Sequence, residues 1–153
     1  MKYLTTFEAM NYNFHGKIGA GVLPISKTSG KILLSLRSIY VNEPLTWGIW
    51  GGKVDDIDND IRETAKRELI EETEYSGELE LFDSYVFDRK NFRYHNFIGL
   101  VDDDFTPKLD SETQDYKWLT LEEVMRIEPK HFGLNSLLKH DLKNIIKYIK
   151  KYK

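Results

Sequence analysis

Between residues 55 and 80, eleven acidic side chains stand against three bases. That stretch carries −8, so the rest of a chain whose total is −3 carries +5. The spacing predicts a helix from about Asp60 to Ser76. Asp60 followed by Glu63 three positions on is a capping-box arrangement, and Gly77 is placed to terminate the helix. At about 100° per residue, Glu68, Glu71 and Glu72 fall within an arc of roughly 100°. Ile61, Ala65 and Leu69 form an adjoining apolar stripe, which puts the acids beside the buried face. Carboxylates crowded at the edge of a core repel one another unless a cation neutralises them. Mg²⁺ or Mn²⁺ does so while keeping water and phosphate oxygens in its shell. Arg67, one residue before Glu68 and four before Glu71, is placed to hold an acid. Taken alone, the same cluster also fits an ordinary solvated helix face.

The remainder of the sequence supplies a scaffold for that helix. Lys17–Ile25 and Lys31–Arg37 read as strands joined by a turn at Ser29-Gly30, and residues 40–52 as an irregular aromatic segment. Leu79–Phe87 and Phe92–Val101 read as a hairpin across Asp88–Asn91, and Tyr116–Leu119 as a short strand. Thr120 and Glu123 cap a helix running to about Glu128. Leu134, Leu138, Leu142, Ile145 and Ile149 mark a last amphipathic helix. Strands mixed with helices imply an α/β fold, a mixed sheet covered on both faces. The 153 residues, 41% apolar and 31% charged, predict one domain over residues 1–153 rather than a disordered chain. Cysteine is absent, which excludes disulfides and thiolate metal sites. No apolar run approaches the roughly 20 residues that span a bilayer, and Met1–Glu8 has no apolar h-region. The expectation is a cytoplasmic domain without a membrane partner.

Gly51-Gly52-Lys53-Val54, a loop, and then Arg67-Glu68-Leu69-Ile70-Glu71-Glu72-Thr73 closely resemble the Nudix box, and the chain is identified on this basis as similar to MutT-like Nudix hydrolases. The resemblance implies an α/β/α sandwich. It also implies Mg²⁺ or Mn²⁺ held by Glu68, Glu71 and Glu72 against a diphosphate, with water attacking phosphorus. Arg67 and the backbone of Gly51 and Gly52 belong to that machinery. Asp58 stands where the family spacing places a glutamate, the stretch from Asp58 to Arg67 is one residue longer than usual, and Trp50 replaces a common proline. Glu74 replaces a glycine, which suggests a helix that continues through it to end nearer Gly77.

Other residues extend the site. Glu112, six residues before Trp118, matches a loop glutamate that approaches the metals in MutT-like enzymes; the plain alternative is a solvated loop acid. Arg37 at a strand end is placed for substrate phosphate. Asn135 either reads a nucleobase or caps the last helix. Trp47, Trp50, Phe92 and Tyr94 offer a stacking wall of which one or two would touch ligand, the rest being core. His95 reads as structural. The expected substrate is a small nucleotide, with a nucleoside triphosphate ahead of ADP-ribose, a nucleotide sugar or an RNA 5′ end. The stripe Lys139, Lys143, Lys147 and Lys150 is a solvated flank, with attraction of an RNA 5′ end as the minority reading. A nucleotide sensor without turnover is the rival from another class. Dimers are frequent among such relatives, so a homodimer is one expected assembly.

Overall fold

The computed structural model describes residues 17–152; the reading of Met1–Glu8 lies outside them. The elements run β1 (Lys17–Ser26), β2 (Ile32–Arg37), β3 (Trp47–Gly48), β4 (Trp50–Lys53), α1 (Ile61–Thr73), β5 (Leu79–Arg89), β6 (Phe92–Val101), β7 (Thr113–Leu119), α2 (Leu121–Arg126) and α3 (Phe132–Tyr152).

One mixed sheet has the order β3-β2-β1-β6-β5, with β4 also on β1 and β7 on β2. β1 is its spine. It pairs in parallel with β6 from Lys17↔Phe92 to Ser26↔Val101, while β4 runs antiparallel along its other edge from Gly19↔Lys53 to Val22↔Trp50. A strand covered on both faces needs apolar residues without alternation, and residues 19–26 of β1 are all buried. On one face Leu23, Ile25, Leu34, Ile98 and Leu100 pack under α2 and α3 through Val124, Leu134, Leu137 and Ile145. On the other, Ala20, Val22, Leu33, Phe97 and Val101 meet Ile61, Ala65 and Leu69 of α1. The expected sandwich of helix, mixed sheet and helix is thus present.

The local start signals hold. The Asp60 side chain accepts from Glu63 N–H at 2.9 Å, and Thr120 with Glu123 forms a complete capping box. The end of α1 corrects the sequence reading. The helix does not run on to Gly77. It stops at Thr73, and Glu74 itself takes the left-handed conformation (φ 56°, ψ 28°) while its N–H closes on Ile70 O at 2.7 Å. That conformation costs a non-glycine residue about 1–2 kcal/mol. The gain is placement of Tyr75, which is buried against Phe105 with ring centroids 4.6 Å apart and donates from its hydroxyl to Glu78 O. Long-range burial decided the stop.

Two more irregularities shape the surface over the sheet. β5 bulges between Asp83 and Val86. α3 is interrupted at Asp141 (φ −135°, ψ 27°), whose carboxylate accepts from Ser84 Oγ beside that bulge and from Asn144 Nδ2 at 3.0 Å. The apolar periodicity of α3 carries no sign of this break. Among the described residues no helix is long and apolar enough to cross a membrane.

Candidate active site

The three glutamates of α1 are far from equivalent. Glu72 is buried, with 6% of its surface exposed, and among the described residues its Oε1 has no hydrogen-bond partner. Burial, then the charges of Glu68, Asp110 and Glu112, push its carboxyl well above the usual range, opposed by the Gly51 backbone amide. Glu68 is half-buried and also raised, first by burial, with Arg67 pulling down and Glu71 and Glu112 pushing up. Glu71 is the outer member, its side chain 56% exposed.

Arg67 ties this edge together. Its Nε and Nη2 grip Asp58 Oδ1 and Oδ2 at 2.9 and 3.0 Å, Nη1 reaches Glu68 Oε1 at 3.0 Å and Glu71 Oε2 at 3.1 Å, and Nη2 also donates to Lys53 O at 3.0 Å. A bidentate fork of this kind fixes the guanidinium plane in a way a lysine does not. Asp58 is buried with its side chain 3% exposed. Burial alone would raise its carboxyl, but bonds from Arg67, the Asp55 N–H and Thr64 outweigh it and hold it below the usual range. The shortened carboxylate at this position therefore anchors the arginine and the loop before α1. Its six-residue spacing from Gly52 was the signal for it.

Gly52 lies so near the acids that a Cβ there would stand 2.6 Å from the Glu68 carboxyl carbon. Only a bare backbone lets β4 approach α1 this closely. Outward from Gly51 and Gly52 opens a cleft of about 850 Å³, within the size range of nucleotide-sized sites. Its lining has a carboxylate part, Glu68, Glu72 and Glu112, and an aromatic part in which Phe132, Phe87, Phe92 and Tyr94 follow one another at 5.5–6.0 Å between ring centroids. Arg37, Ser35 and His131 also line it.

The expected residues are thus partly brought together. Glu68, Glu72, Glu112, Gly51, Gly52 and Arg37 line the cleft, while Arg67 and Glu71 stand behind its carboxylate end. Arg37 is already engaged: its guanidinium donates to Asn42 O at 2.8 and 2.6 Å, bracing the loop over the cleft. Asn135 is exposed on α3 and is not part of the cleft lining. It does not cap the helix either, since it sits within the first turn and donates its N–H to His131 O at 3.1 Å. The His131 side chain takes that part, Nδ1 accepting from Gly133 N–H at 3.0 Å. Of the four aromatics, Trp50 is core, donating Nε1–H to Leu33 O at 3.1 Å, and Trp47 packs in the other core layer. Phe92 and Tyr94 reach the cleft, joined by Phe87 and Phe132, which sequence reasoning did not single out. His95 is buried, its Nε2 has no partner among the described residues, and burial lowers its pKa.

His131 also meets Glu43 Oε2 through Nε2 at 3.2 Å. Burial and then Arg37 depress its pKa, so the neutral ring with a proton on Nε2 satisfies both contacts. Glu43 belongs to the loop braced by Arg37, which joins that loop to the start of α3.

The carboxylate end suits a hard divalent cation. Among the described residues no three His, Asp or Glu side chains form a ready-made metal cage. Mg²⁺ asks for none: one or two carboxylates, waters and substrate phosphates complete its shell. An unpartnered buried carboxylate oxygen on Glu72, with Glu68 and Glu112 near enough to raise its pKa, is the local condition that a cation relieves.

The NUDIX domain family model matches residues 16–140, most of the chain, and the chain belongs to that family of hydrolases, whose members generally use divalent cations. No curated protein matches it in sequence. Among solved structures, the MutT protein from Methanosarcina mazei Go1 is 21% identical with a TM-score of 0.68, covering 91% of this chain and 99% of that one. A binary complex of the C. elegans Ap4A hydrolase is 22% identical (TM-score 0.66; 86% and 98% covered). The NUDIX domain of Shewanella oneidensis NrtR, complexed with ADP ribose, is 19% identical (TM-score 0.64; 97% and 100% covered). At these identities the structures share the fold.

Proposed function

We propose that this member of the NUDIX family is a Mg²⁺- or Mn²⁺-dependent pyrophosphohydrolase of a nucleoside-diphosphate derivative, with a nucleoside triphosphate, cleaved to monophosphate and pyrophosphate, as the leading substrate. The observation that carries this reading is Glu72, a buried carboxylate in the lining of a nucleotide-sized cleft, whose Oε1 has no hydrogen-bond partner among the described residues. The aromatic part of the lining suits a base, and the cleft volume of about 850 Å³ leaves room for a phosphate chain beside it.

Glu68 and Glu72, with Glu112 from across the cleft, would hold the metal. When bound, the ion withdraws charge from the phosphates and lowers the pKa of a coordinated water. Arg67 acts through its neighbours: it positions Glu68 and Glu71 and is itself positioned by Asp58. Glu112 lies on the exposed wall of the cleft, where a carboxylate can take the proton of the attacking water. Gly51 and Gly52 let substrate phosphates approach the backbone. Arg37 contributes through the loop it braces and through its positive charge near the phosphate path.

Structures of the same fold include an Ap4A hydrolase and a NUDIX domain complexed with ADP ribose, so dinucleoside polyphosphates and ADP-ribose are the competing substrates. The MutT-like placement of Glu112 favours the triphosphate; Asn135 no longer supports it. The test is phosphate and pyrophosphate release from nucleoside triphosphates, ADP-ribose, dinucleoside polyphosphates and triphosphate-ended or capped RNA, each with Mg²⁺ and Mn²⁺. Turnover of one diphosphate class with strict metal dependence supports the proposal. Tight nucleotide binding with zero turnover across the panel would establish a sensor instead.

A further inference from the structure

Three glycines from two strands converge on one side chain. A Cβ at Gly19 would stand 3.0 Å from the Tyr94 ring, and Cβ atoms at Gly21 and Gly51 would overlap its hydroxyl oxygen. β1 pairs with β6 so that Gly19 lies beside Tyr94, and β4 brings Gly51 opposite Gly21. These bare backbones form a slot in which the Tyr94 ring lies across β1, with its oxygen beside Gly51. Tyr94, Gly51, Glu68 and Glu72 all line the cleft, and Phe92 flanks the ring at 5.9 Å between centroids.

We propose that the Tyr94 hydroxyl is a neutral hydrogen-bond donor to the substrate's phosphate chain at the turn over Gly51-Gly52, making Tyr94 a phosphate-binding residue rather than part of the base-stacking wall. This deepens the proposed function and rests on it for the identity of the ligand. Among the described residues no hydrogen bond to the hydroxyl contributes to its titration. A phenol has an ordinary pKa of about 10, so at neutral pH the hydroxyl is an uncharged group with one proton to donate. A neutral donor suits a place between an acidic cluster and an anionic ligand. It takes one phosphate oxygen without competing with the metal for the carboxylates, whereas a lysine there would pair with Glu68 or Glu72. The slot also explains why the backbone is bare at Gly19 and Gly21, away from the α1 acids.

Tyr94→Phe removes the oxygen and keeps the ring that fills the slot. In the full chain with Mg²⁺, titration calorimetry with an α,β-methylene nucleoside triphosphate should show binding weakened about tenfold to a hundredfold, the loss expected for a hydrogen bond to a charged group. Binding of the corresponding nucleoside, which has no phosphate, should change less than about twofold, and the melting temperature should stay within about 2 °C. Equal affinity of the two proteins for the analogue would overturn the proposal. So would an equal loss for nucleoside and analogue, or a large fall in melting temperature, since either makes the hydroxyl a packing element. A wild-type chain that binds the analogue but hydrolyses no diphosphate would defeat the enzymatic reading while leaving the Tyr94 comparison intact.

Discussion

The two ends of the cleft are built in opposite ways. The carboxylate end comes almost wholly from one stretch, Gly51 to Glu72, in which a strand, a loop and a helix fold on themselves through Arg67. The aromatic end draws Phe87 from β5, Phe92 from β6 and Phe132 from the start of α3. Side chains close in sequence on a regular element hold fixed mutual geometry whatever surrounds them. Side chains from separate elements meet only when the whole sheet has formed. The first end can therefore be specified for chemistry and the second varied for substrate, without either disturbing the other.

Breaking the carboxylate end should have the largest effect. Glu72→Gln should lower kcat by at least about a thousandfold, some 4 kcal/mol of barrier, through loss of metal-held charge. Full activity would exclude Glu72 as a ligand. The same variant should be more stable than the wild type without metal. The folded Glu72 pKa is raised above its unfolded value, so the metal-free fold binds the extra proton; this contribution is complete below the unfolded pKa and is lost as pH rises through the folded one. Glutamine removes the cost of burying the charge. Calorimetric melting should show a rise of a few degrees at pH 7 and loss of the Mn²⁺-dependent increase; a lower metal-free melting temperature would contradict the burial argument.

Arg67→Ala should follow, because it strands Asp58 in the interior. Breaking a buried pair from one side costs about 3–5 kcal/mol, or roughly 6–20 °C at this chain length. Asp58 has the opposite linkage to Glu72. Its folded pKa is depressed, so its contribution is complete above the unfolded pKa and is lost as pH falls through the folded one. Urea midpoints of the wild type should fall on acidification through that range, and Asp58→Asn should flatten the fall; identical acid profiles would remove Asp58 from the account.

The aromatic end should respond more gently. Phe132→Ala, 43% exposed at the cleft mouth, should raise KM about fivefold with kcat within a factor of two, the signature of lost uniform binding. A matching fall in kcat would mean that this end also aligns the phosphates. Smallest of all, Asn135→Ala should leave kcat/KM within about twofold for every base; a change in base preference would return Asn135 to the site.

The same contrast explains what was legible in the chain. The α1 acids, Arg67, the glycine pair and both cap signals are local patterns, and all stand where spacing put them. The ranking of the three glutamates was not legible. Helical spacing places them on one arc but does not say that β4 comes near enough to bury Glu72 and leave Glu71 in solvent. The cap of α3 was not legible for a related reason: His131, not Asn135, supplies it. Its position depends on where α3 starts relative to the cleft, and that is set by His131 and its neighbours: Trp47 N–H donates to Pro129 O and His131 N–H to Trp47 O. Trp47 and Trp50 look like ligand aromatics in sequence and are core because β3 and β4 carry them inward.

By itself, the sequence determined the chemistry at one end of this protein: a helix with a defined start, an acidic arc beside an apolar stripe, and an arginine in register to bind it. These depend on backbone periodicity and on hydrogen bonds a few residues long. The tertiary structure decided which carboxylate is desolvated, which aromatics face ligand, and that three glycines clear a slot for one tyrosine. Burial and close backbone approach are set by strands far apart in the chain, so no local pattern encodes them.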